Sequence, residues 1–147
     1  MNVDPIDDLF GIELESTLEN AESPDEKQVS YETQQKLSCH IDNNNKPIDS
    51  LQDGLKISLG GQMEKFSEAL QRNSLWNKTS KVNKLPSYIC INFVRFYWKK
   101  ESNVGGTKAG RAKILRSVAY PRLLDLFEYC SESLQKKLLV GRDIETK

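Results

Sequence analysis

The fold depends most on one stretch of sequence, Leu85-Pro86-Ser87-Tyr88-Ile89-Cys90-Ile91-Asn92-Phe93-Val94-Arg95-Phe96-Tyr97-Trp98. Proline marks the start of a strand, and apolar side chains then fall on both alternating sets of positions. That pattern is typical of a central strand covered on both faces of a sheet. One cation, Arg95, lies among the aromatic residues near the end of the strand. A charged side chain there suits the mouth of a binding cleft better than a core.

A second strand is predicted after a polar gap. It comprises Lys113-Ile114-Leu115-Arg116-Ser117-Val118-Ala119-Tyr120-Pro121 and is followed by Leu124-Asp125-Leu126. Between the two strands lies a long loop with Gly105-Gly106 and Gly110. Because glycine widens the choice of backbone conformations, we expect this loop to be mobile.

Two shorter strands are predicted near the amino terminus. The first has Phe10, Ile12 and Leu14 in alternation with polar residues, and the second repeats the pattern at Leu37, Cys39 and Ile41. We expect them to pair antiparallel, with the acidic segment 19–35 as a mobile hairpin tip around the turn Ser23-Pro24-Asp25-Glu26. A further turn is predicted over 42–47.

The apolar spacing then becomes helical. Leu51, Leu55 and Leu59 lie four residues apart, and Met63, Phe66 and Leu70 continue the pattern. Gly54 and Gly60-Gly61 divide this stretch into short helices, and a polar strand follows over 75–82. Near the carboxyl end Ser131 can cap a helix that turns Leu134, Leu138 and Leu139 inward and Lys136 and Lys137 outward. Strands and helices alternate without a βαβ rhythm, so the predicted class is α+β.

Composition fits one domain with a substantial core, since the chain has 147 residues, 37% of them apolar and 29% charged. The net charge of zero conceals an asymmetry. Residues 1–60 carry 13 acids and 4 bases, net −9, and residues 61–147 carry 8 acids and 17 bases, net +9. Either an acidic layer packs on a basic layer, or the basic surface attracts a partner.

Cysteine and histidine usage excludes several kinds of site. Cys39, Cys90 and Cys130 form no CxxC pair, and His40 is the one histidine, so neither a zinc site nor a disulfide framework is expected. His40 follows Cys39 directly on a predicted strand, so the two side chains point to opposite faces and cannot form a catalytic pair. We expect His40 on a solvated strand face and Cys90 and Cys130 in the core.

Other kinds of function are weighed on similar grounds. The absence of an apolar leader and of a run of about 18 apolar residues predicts a protein of the cytoplasm, or also of the nucleus, without a membrane partner. The glycines of 105–110 lack the Lys-Ser/Thr pair of a phosphate-binding loop. The aromatic and cationic residues of 95–100 could stack nucleic-acid bases, but no second aromatic strand supports them, so nucleic-acid binding stays a minor alternative.

The order of these segments resembles the ubiquitin-specific protease family of deubiquitinating cysteine peptidases, and most of all its proteasome-associated branch. The resemblance covers nearly the whole chain. It rests on Ile6 to Glu15 and Gln35 to Cys39, on Leu70 to Leu75 and Lys84 to Tyr88, and on a block found throughout the family: Leu85-Pro86 through Arg95-Phe96, Lys113-Ile114, Tyr120-Pro121 and Leu124-Asp125-Leu126.

The resemblance implies part of a papain-like catalytic domain that cleaves the bond after the carboxyl-terminal glycine of ubiquitin. Residues 9–48 would form the fingers, 49–84 a helical and connecting part, 85–126 the palm strands, and 127–147 a terminal helix. Segment 97–113 would be a loop over the active-site channel. The residues expected to meet the ubiquitin tail are Arg95, Phe96, Tyr97 and Lys113.

Departures from the family pattern are equally informative. The chain contains neither the family's cysteine block nor its Gly-His-Tyr block, and Cys39 alone cannot replace the two CxxC pairs that hold zinc in many relatives. We therefore expect a fragment of a longer enzyme or an incomplete gene product, inactive alone, without catalytic residues, cofactor or metal. Expected partners are ubiquitin, ubiquitinated proteins and, through the parent enzyme, the proteasome. The alternative is a stand-alone module that binds ubiquitin without cutting it.

Overall fold

A computed structural model describes residues 4–43, 46–101, 104–106 and 108–145 of the chain. The helices are α1 (Pro5–Phe10), α2 (Leu51–Ser58) and α3 (Glu132–Glu145), with a single 3-10 turn at Phe127–Tyr129. The strands are β1 (Ile12–Asn20), β2 (Lys27–Gln34), β3 (Leu37–His40), β4 (Asp42–Asn43), β5 (Lys46–Pro47), β6 (Gly60–Ser67), β7 (Arg72–Lys84), β8 (Ile91–Val94), β9 (Phe96–Lys99) and β10 (Gly110–Lys113). The mixed α+β class is confirmed.

Four strands form one antiparallel sheet in the order β2-β1-β7-β6. The register runs from Ile12 opposite Gln34 to Glu19 opposite Lys27 on one side of β1, and Asn20 lies opposite Trp76 on the other side. Side chains of β1 alternate as the sequence predicts, since Ile12 and Leu14 are buried. The hairpins β1–β2 and β6–β7 therefore end at the same far end of the sheet.

The core lies under the other end of this sheet. Its buried members are Ile12, Leu14, Leu37, Cys39, Ile41, Leu51, Leu55, Leu59, Val82, Tyr129 and Cys130. Helix α2 supplies Leu51 and Leu55, at the spacing that predicted it, and Ser50 caps its first turn by accepting a hydrogen bond from the Asp53 amide at 3.3 Å. Helix α3 adds partly buried Leu134 and Leu138 to the same core, next to β7.

Two small ladders position the remaining segments. Strand β3 pairs with β8 in parallel, from Leu37 opposite Ile91 to His40 opposite Val94. Strands β9 and β10 form an antiparallel hairpin that begins with Phe96 opposite Lys113. Among the described residues neither ladder has a third strand.

The apolar stretch that decides the fold is interrupted, and the prediction of one central strand is wrong. No strand forms over 85–90, and Arg95 separates β8 from β9. Each short strand pairs along one edge, and the side chains of Phe96 and Trp98 are 64% and 66% exposed, so β9 is not a covered central strand. Of the second predicted strand, which began at Lys113, only Lys113 itself lies in a strand, at the end of β10, and a single bridge joins Ala119 to Ser50.

Pairing of the amino-terminal strands also differs from the prediction. Strands β1 and β3 do not pair, because β1 lies between β2 and β7. The predicted tip over 19–35 is mostly strand, and only the turn around Ser23-Pro24 lies at the tip. Phe10 belongs to α1, where the Asp4 carboxylate caps the helix by accepting from the Ile6 amide at 2.9 Å. In the predicted turn over 42–47, residues 44 and 45 lie outside the described part.

Three further expectations change. The helical spacing of Met63, Phe66 and Leu70 is misleading, because β6 pairs with β7 over its whole length. The polar strand predicted over 75–82 is confirmed within the longer β7. Leu139 is exposed rather than inward, and Cys90 is exposed rather than in the core, while Cys130 is buried as expected. No described helix combines the length and the apolar character that spanning a bilayer requires.

Candidate functional site

A cavity of about 400 Å³ opens where the β9–β10 hairpin meets the β3–β8 ladder. Three of the four residues predicted to form a site line it, namely Phe96 and Tyr97 of β9 and Lys113 of β10. They meet because antiparallel pairing puts Phe96 directly opposite Lys113 and Tyr97 opposite Ala112. We name this the hairpin cavity.

Arg95, the fourth predicted residue, is not among the residues that line the hairpin cavity. Its Nη1 donates hydrogen bonds to the carbonyl oxygens of Ile114 at 3.2 Å and Arg116 at 2.9 Å. The Arg95 carbonyl in turn accepts a hydrogen bond from the Ile114 amide at 2.7 Å. Arg95 therefore connects the start of β9 to the segment that follows β10 through these hydrogen bonds.

Sequence reasoning missed three polar residues of the hairpin cavity: His40, Asp42 and Arg116. His40 and Asp42 reach it because β3 pairs in parallel with β8, which is a contact between segments some fifty positions apart. No local pattern announces such pairing, so no signal in the sequence could have identified these residues. The prediction that His40 lies on the solvent-exposed face of its strand is nevertheless confirmed.

Arg116 joins the hairpin to the rest of the chain. Its Nη2 donates to the carbonyl oxygens of Ile41 and Ile48, and its Nε forms an ion pair with the Asp49 carboxylate at 3.2 Å, although the Nε–H is not aligned for a hydrogen bond. Arginine suits this role because its fixed fork of donors can serve several acceptors at once. The arginine pair thus connects β8, the segment after β10 and the segment before α2.

The electrostatic character of the hairpin cavity is mixed, with Lys113 and Arg116 against Asp42. Over 96–113 the chain carries five bases and one acid, net +4. Charges and aromatic rings at an exposed cavity favour binding of a polar, extended ligand. They do not by themselves supply a reaction.

No described thiol is set up as a nucleophile. Cys39 and His40 lie on opposite faces of β3, as predicted, since Cys39 is buried and His40 is exposed. Burial raises the pKa of the Cys39 thiol and of the Cys130 thiol, which keeps both protonated. Across the described ranges no three His, Cys, Asp or Glu side chains gather as metal ligands would. Neither Cys39 nor Cys130 is therefore activated as a nucleophile in the described part of the chain.

Comparison with known proteins adds independent findings. A family model described as ubiquitin carboxyl-terminal hydrolase matches residues 1–141. Ubiquitin carboxyl-terminal hydrolase 6 of Arabidopsis thaliana is 44% identical over 139 residues, which are 95% of this chain and 27% of that protein. Ubiquitin carboxyl-terminal hydrolase 14 of Caenorhabditis elegans is 33% identical over 137 residues, which are 93% of this chain and 26% of that protein.

A solved structure shares the fold. It is the SAGA Ubp8/Sgf11/Sus1/Sgf73 DUB module bound to ubiquitin aldehyde, with a TM-score of 0.62 and 20% identity, covering 86% of this chain and 26% of the matched chain. The chain spans about a quarter of the length of the curated relatives that it matches. Because the family model covers nearly all of it, the chain belongs to the ubiquitin carboxyl-terminal hydrolase family.

Proposed function

We propose that this chain is the ubiquitin-binding part of a deubiquitinating cysteine peptidase, which removes ubiquitin from conjugated proteins. The observation that carries the proposal is the match to ubiquitin carboxyl-terminal hydrolases over 141 of 147 residues. The ubiquitin aldehyde in the structural relative supports ubiquitin as the partner. The catalytic cysteine and histidine blocks of the parent enzyme are not within these 147 residues, and the chain alone binds without cleaving.

The hairpin cavity is our proposed contact for the ubiquitin tail. Phe96, Tyr97 and Lys113 line it, so two aromatic residues and a lysine border the proposed path of an extended peptide. Arg95, which was expected to touch the tail, is better suited to hold the hairpin in place, because its Nη1 is engaged by two carbonyl groups. No cofactor or metal is required for binding of this kind.

The finer expectations remain part of the proposal. The relation to the proteasome-associated branch suggests that the parent enzyme works at the proteasome. We further propose ubiquitinated proteins as substrates of that enzyme and the cytoplasm, together with the nucleus, as its location. Co-sedimentation of the parent enzyme with proteasomes tests this association directly.

Ubiquitin binding by the 147-residue chain tests the tail contact. Tyr97→Ala truncates a residue that lines the hairpin cavity, and Tyr120→Ala truncates a more exposed tyrosine outside it. Loss of an aromatic anchor in an interface costs about 1.4 kcal/mol or more, so fluorescence anisotropy with labelled ubiquitin should show about tenfold weaker binding for Tyr97→Ala. Tyr120→Ala should bind like the parent.

Two results would contradict the tail contact. Equal loss in both variants would mean that exposed tyrosines contribute without regard to the hairpin cavity. Unchanged affinity of Tyr97→Ala would place the tail elsewhere. Single-stranded oligonucleotide, added as a competitor at low salt, should leave the bound fraction of ubiquitin unchanged, and displacement that weakens steeply with salt would favour the nucleic-acid alternative.

A further inference from the structure

The far end of the four-stranded sheet carries two turns side by side. The first, 21–26, joins β1 to β2, and the second, 68–71, joins β6 to β7. The β1–β7 backbone pairing connects the two hairpins, and it ends near the turns with Asn20 opposite Trp76 and the Ala21 amide donating to the Leu75 carbonyl at 2.9 Å. A hydrogen bond from the Lys65 ammonium to the Gln28 side chain also joins them. Beyond that point the turns need another connection to stay together. We name them the first and the second fingertip.

Glu26 provides such a connection. Its side chain starts in the first fingertip, and its Oε1 accepts a hydrogen bond from the Glu68 amide of the second at 3.0 Å. Its Oε2 accepts from the Ser67 hydroxyl and from the Asn20 amide Nδ2, the latter at 2.9 Å. One carboxylate thus takes donors from β1, β6 and the second fingertip.

The donors around Glu26 are themselves buried. Asn20 and Ser67 are both fully excluded from solvent. The Ser67 hydroxyl also accepts a hydrogen bond from the Leu70 amide at 3.1 Å, which shapes the second fingertip. Buried hydroxyl and amide groups without partners are costly, so removal of the Glu26 carboxylate would leave Ser67 and Asn20 needing new partners.

Charge strengthens the connection. Hydrogen bonds to an ionised acceptor are shorter and stronger than neutral ones, and the Ser67 hydroxyl is the main cause of a lowered Glu26 pKa. A second link, the ion pair between Glu22 of the first fingertip and Arg72 at the start of β7, is about half exposed to solvent. Solvent weakens an exposed ion pair, so we assign the relative position of the two fingertips chiefly to the hydrogen bonds of Glu26.

We propose that Glu26 is a positioning residue for ubiquitin binding: it fixes the second fingertip against the first, and so sets the shape of the four-stranded sheet β2-β1-β7-β6, which we take to be part of the ubiquitin-binding surface. The inference rests on the proposed function. Glu26 itself need not touch ubiquitin. Its effect acts through its hydrogen bonds with Ser67 and with the Glu68 amide. The proposal therefore predicts that hydrogen-exchange protection of the second fingertip and affinity for ubiquitin change together.

The test uses the full chain with Glu26→Gln, which removes the charge and one acceptor oxygen at constant size. Asp25→Asn is the matched control, since it makes the same chemical change at an exposed neighbour in the same fingertip. Amide hydrogen exchange followed by NMR should show about tenfold less protection at Glu68 and Leu70 in Glu26→Gln, because local opening becomes easier, and no change at the β1–β7 pairing. Asp25→Asn should match the parent.

Ubiquitin affinity, measured on the same samples well below their melting temperature, decides the role. We expect about tenfold weaker binding by Glu26→Gln, caused by a faster dissociation rate, and parent-like binding by Asp25→Asn. Ser67→Ala, which removes the partner hydroxyl, should reproduce the effect, and the double variant should lose little more than either single one. Non-additive losses in this cycle show that Glu26 and Ser67 act through their shared hydrogen bond. If Glu26→Gln does not fold, Ser67→Ala alone provides the test.

The outcomes are distinct. Lost protection at the second fingertip with unchanged ubiquitin affinity would overturn the positioning role, and so would unchanged protection. Additive losses in the double variant would do the same, since they would mean that Glu26 acts independently of Ser67. If the parent chain itself does not bind ubiquitin, the proposed function fails, while the protection data still report on the Glu26 connection.

Discussion

Gly54 shows how closely single residues determine the position of the site. A Cβ atom at this position of α2 would lie 2.3 Å from the Cys39 sulfur and 2.6 Å from the His40 carbonyl oxygen. Neither neighbour can move freely, because Cys39 is buried and its strand β3 is paired with β8. The absence of a side chain at Gly54 therefore lets α2 approach the strand that carries His40 into the hairpin cavity.

Gly54→Ala should destabilise the chain for this reason. Overpacking of a tight contact costs about 1 to 3 kcal/mol, so urea unfolding should show a lower midpoint with an unchanged slope. Gly141→Ala is the matched control, since a Cβ there meets nothing within 4 Å and the residue lies in α3. Alanine is the better helix former by about 1 kcal/mol, so the control should be as stable as the parent or more stable. Equal midpoints for Gly54→Ala and the parent would contradict the packing of α2 on β3.

At the scale of elements, local patterns predicted what local chemistry decides. Leu51 and Leu55 indicated α2, and the alternation of Ile12 and Leu14 indicated β1. Ser131 was correctly predicted as the capping residue of the carboxyl-terminal helix. At the start of α3 the Ser131 hydroxyl accepts a hydrogen bond from the Leu134 amide at 3.4 Å, and the Ser131 amide donates one to the Val82 carbonyl. Here neighbouring residues contain nearly all the information.

Pairing between distant segments could not be predicted in the same way. Met63, Phe66 and Leu70 fit a helix by spacing, yet β6 forms because β7 offers a full antiparallel edge and fully buried Trp76 donates its Nε1–H to the Lys65 carbonyl at 3.1 Å. The parallel β3–β8 ladder is equally non-local. Phe96, Tyr97 and Lys113 were proposed as site residues from the family resemblance, and the structure brings them together in one hairpin. The residues that β3 and β4 contribute to the hairpin cavity were not predicted, because their approach depends on this non-local pairing.

Carboxylates that join elements make stability depend on pH. Asp125 accepts hydrogen bonds from the Phe127 amide at 3.0 Å and from Arg142 of α3 at 2.6 Å, and both lower its pKa below the ordinary 3.8. The pKa values of Glu22 and Glu26 are lowered from 4.5, chiefly by hydrogen bonds from Arg72 and Ser67 respectively. A carboxylate with a depressed folded-state pKa stabilises the protein above its unfolded pKa, and that contribution disappears as pH falls through the folded value.

The melting temperature should therefore be nearly constant above about pH 5 with respect to these three groups and fall progressively between about pH 4 and pH 2. Asp125→Asn cannot titrate, so its melting temperature should be lower than that of the parent at neutral pH and converge with it in acid. Circular dichroism melts from pH 7 to pH 2 provide the measurement. A difference between the two proteins that persists unchanged at pH 2 would contradict a charged role for Asp125.

The whole molecule combines a compact core with large exposed rings. Phe96, Tyr97 and Trp98 are all at least half exposed, as are Tyr88 and Tyr120. Several exposed aromatic side chains on one strand, as on β9, are typical of an interaction site. Under the proposed function, these rings are available for contact with ubiquitin or with other parts of a longer enzyme.

The arrangement of the whole molecule also separates the elements proposed for binding from the groups that hydrolysis requires. Under the proposed function, the binding surface comes from the four-stranded sheet and the β9–β10 hairpin, both of which lie within the chain. Hydrolysis needs a thiolate and a base within hydrogen-bond reach of each other. Among the described thiols, Cys39 and Cys130 are buried with raised pKa values, and Cys90 is exposed at the end of an irregular segment. None is paired with His40, the one histidine of the chain.

The most direct test of the central claim combines binding and labelling on one sample of the 147-residue chain. Ubiquitin carrying a thiol-reactive group at its carboxyl terminus is titrated while anisotropy reports binding and intact mass reports covalent transfer. The account predicts saturable, reversible binding and no specific covalent adduct over hours. Absence of binding, or rapid labelling of Cys39, Cys90 or Cys130 that ordinary ubiquitin competes away, would contradict it.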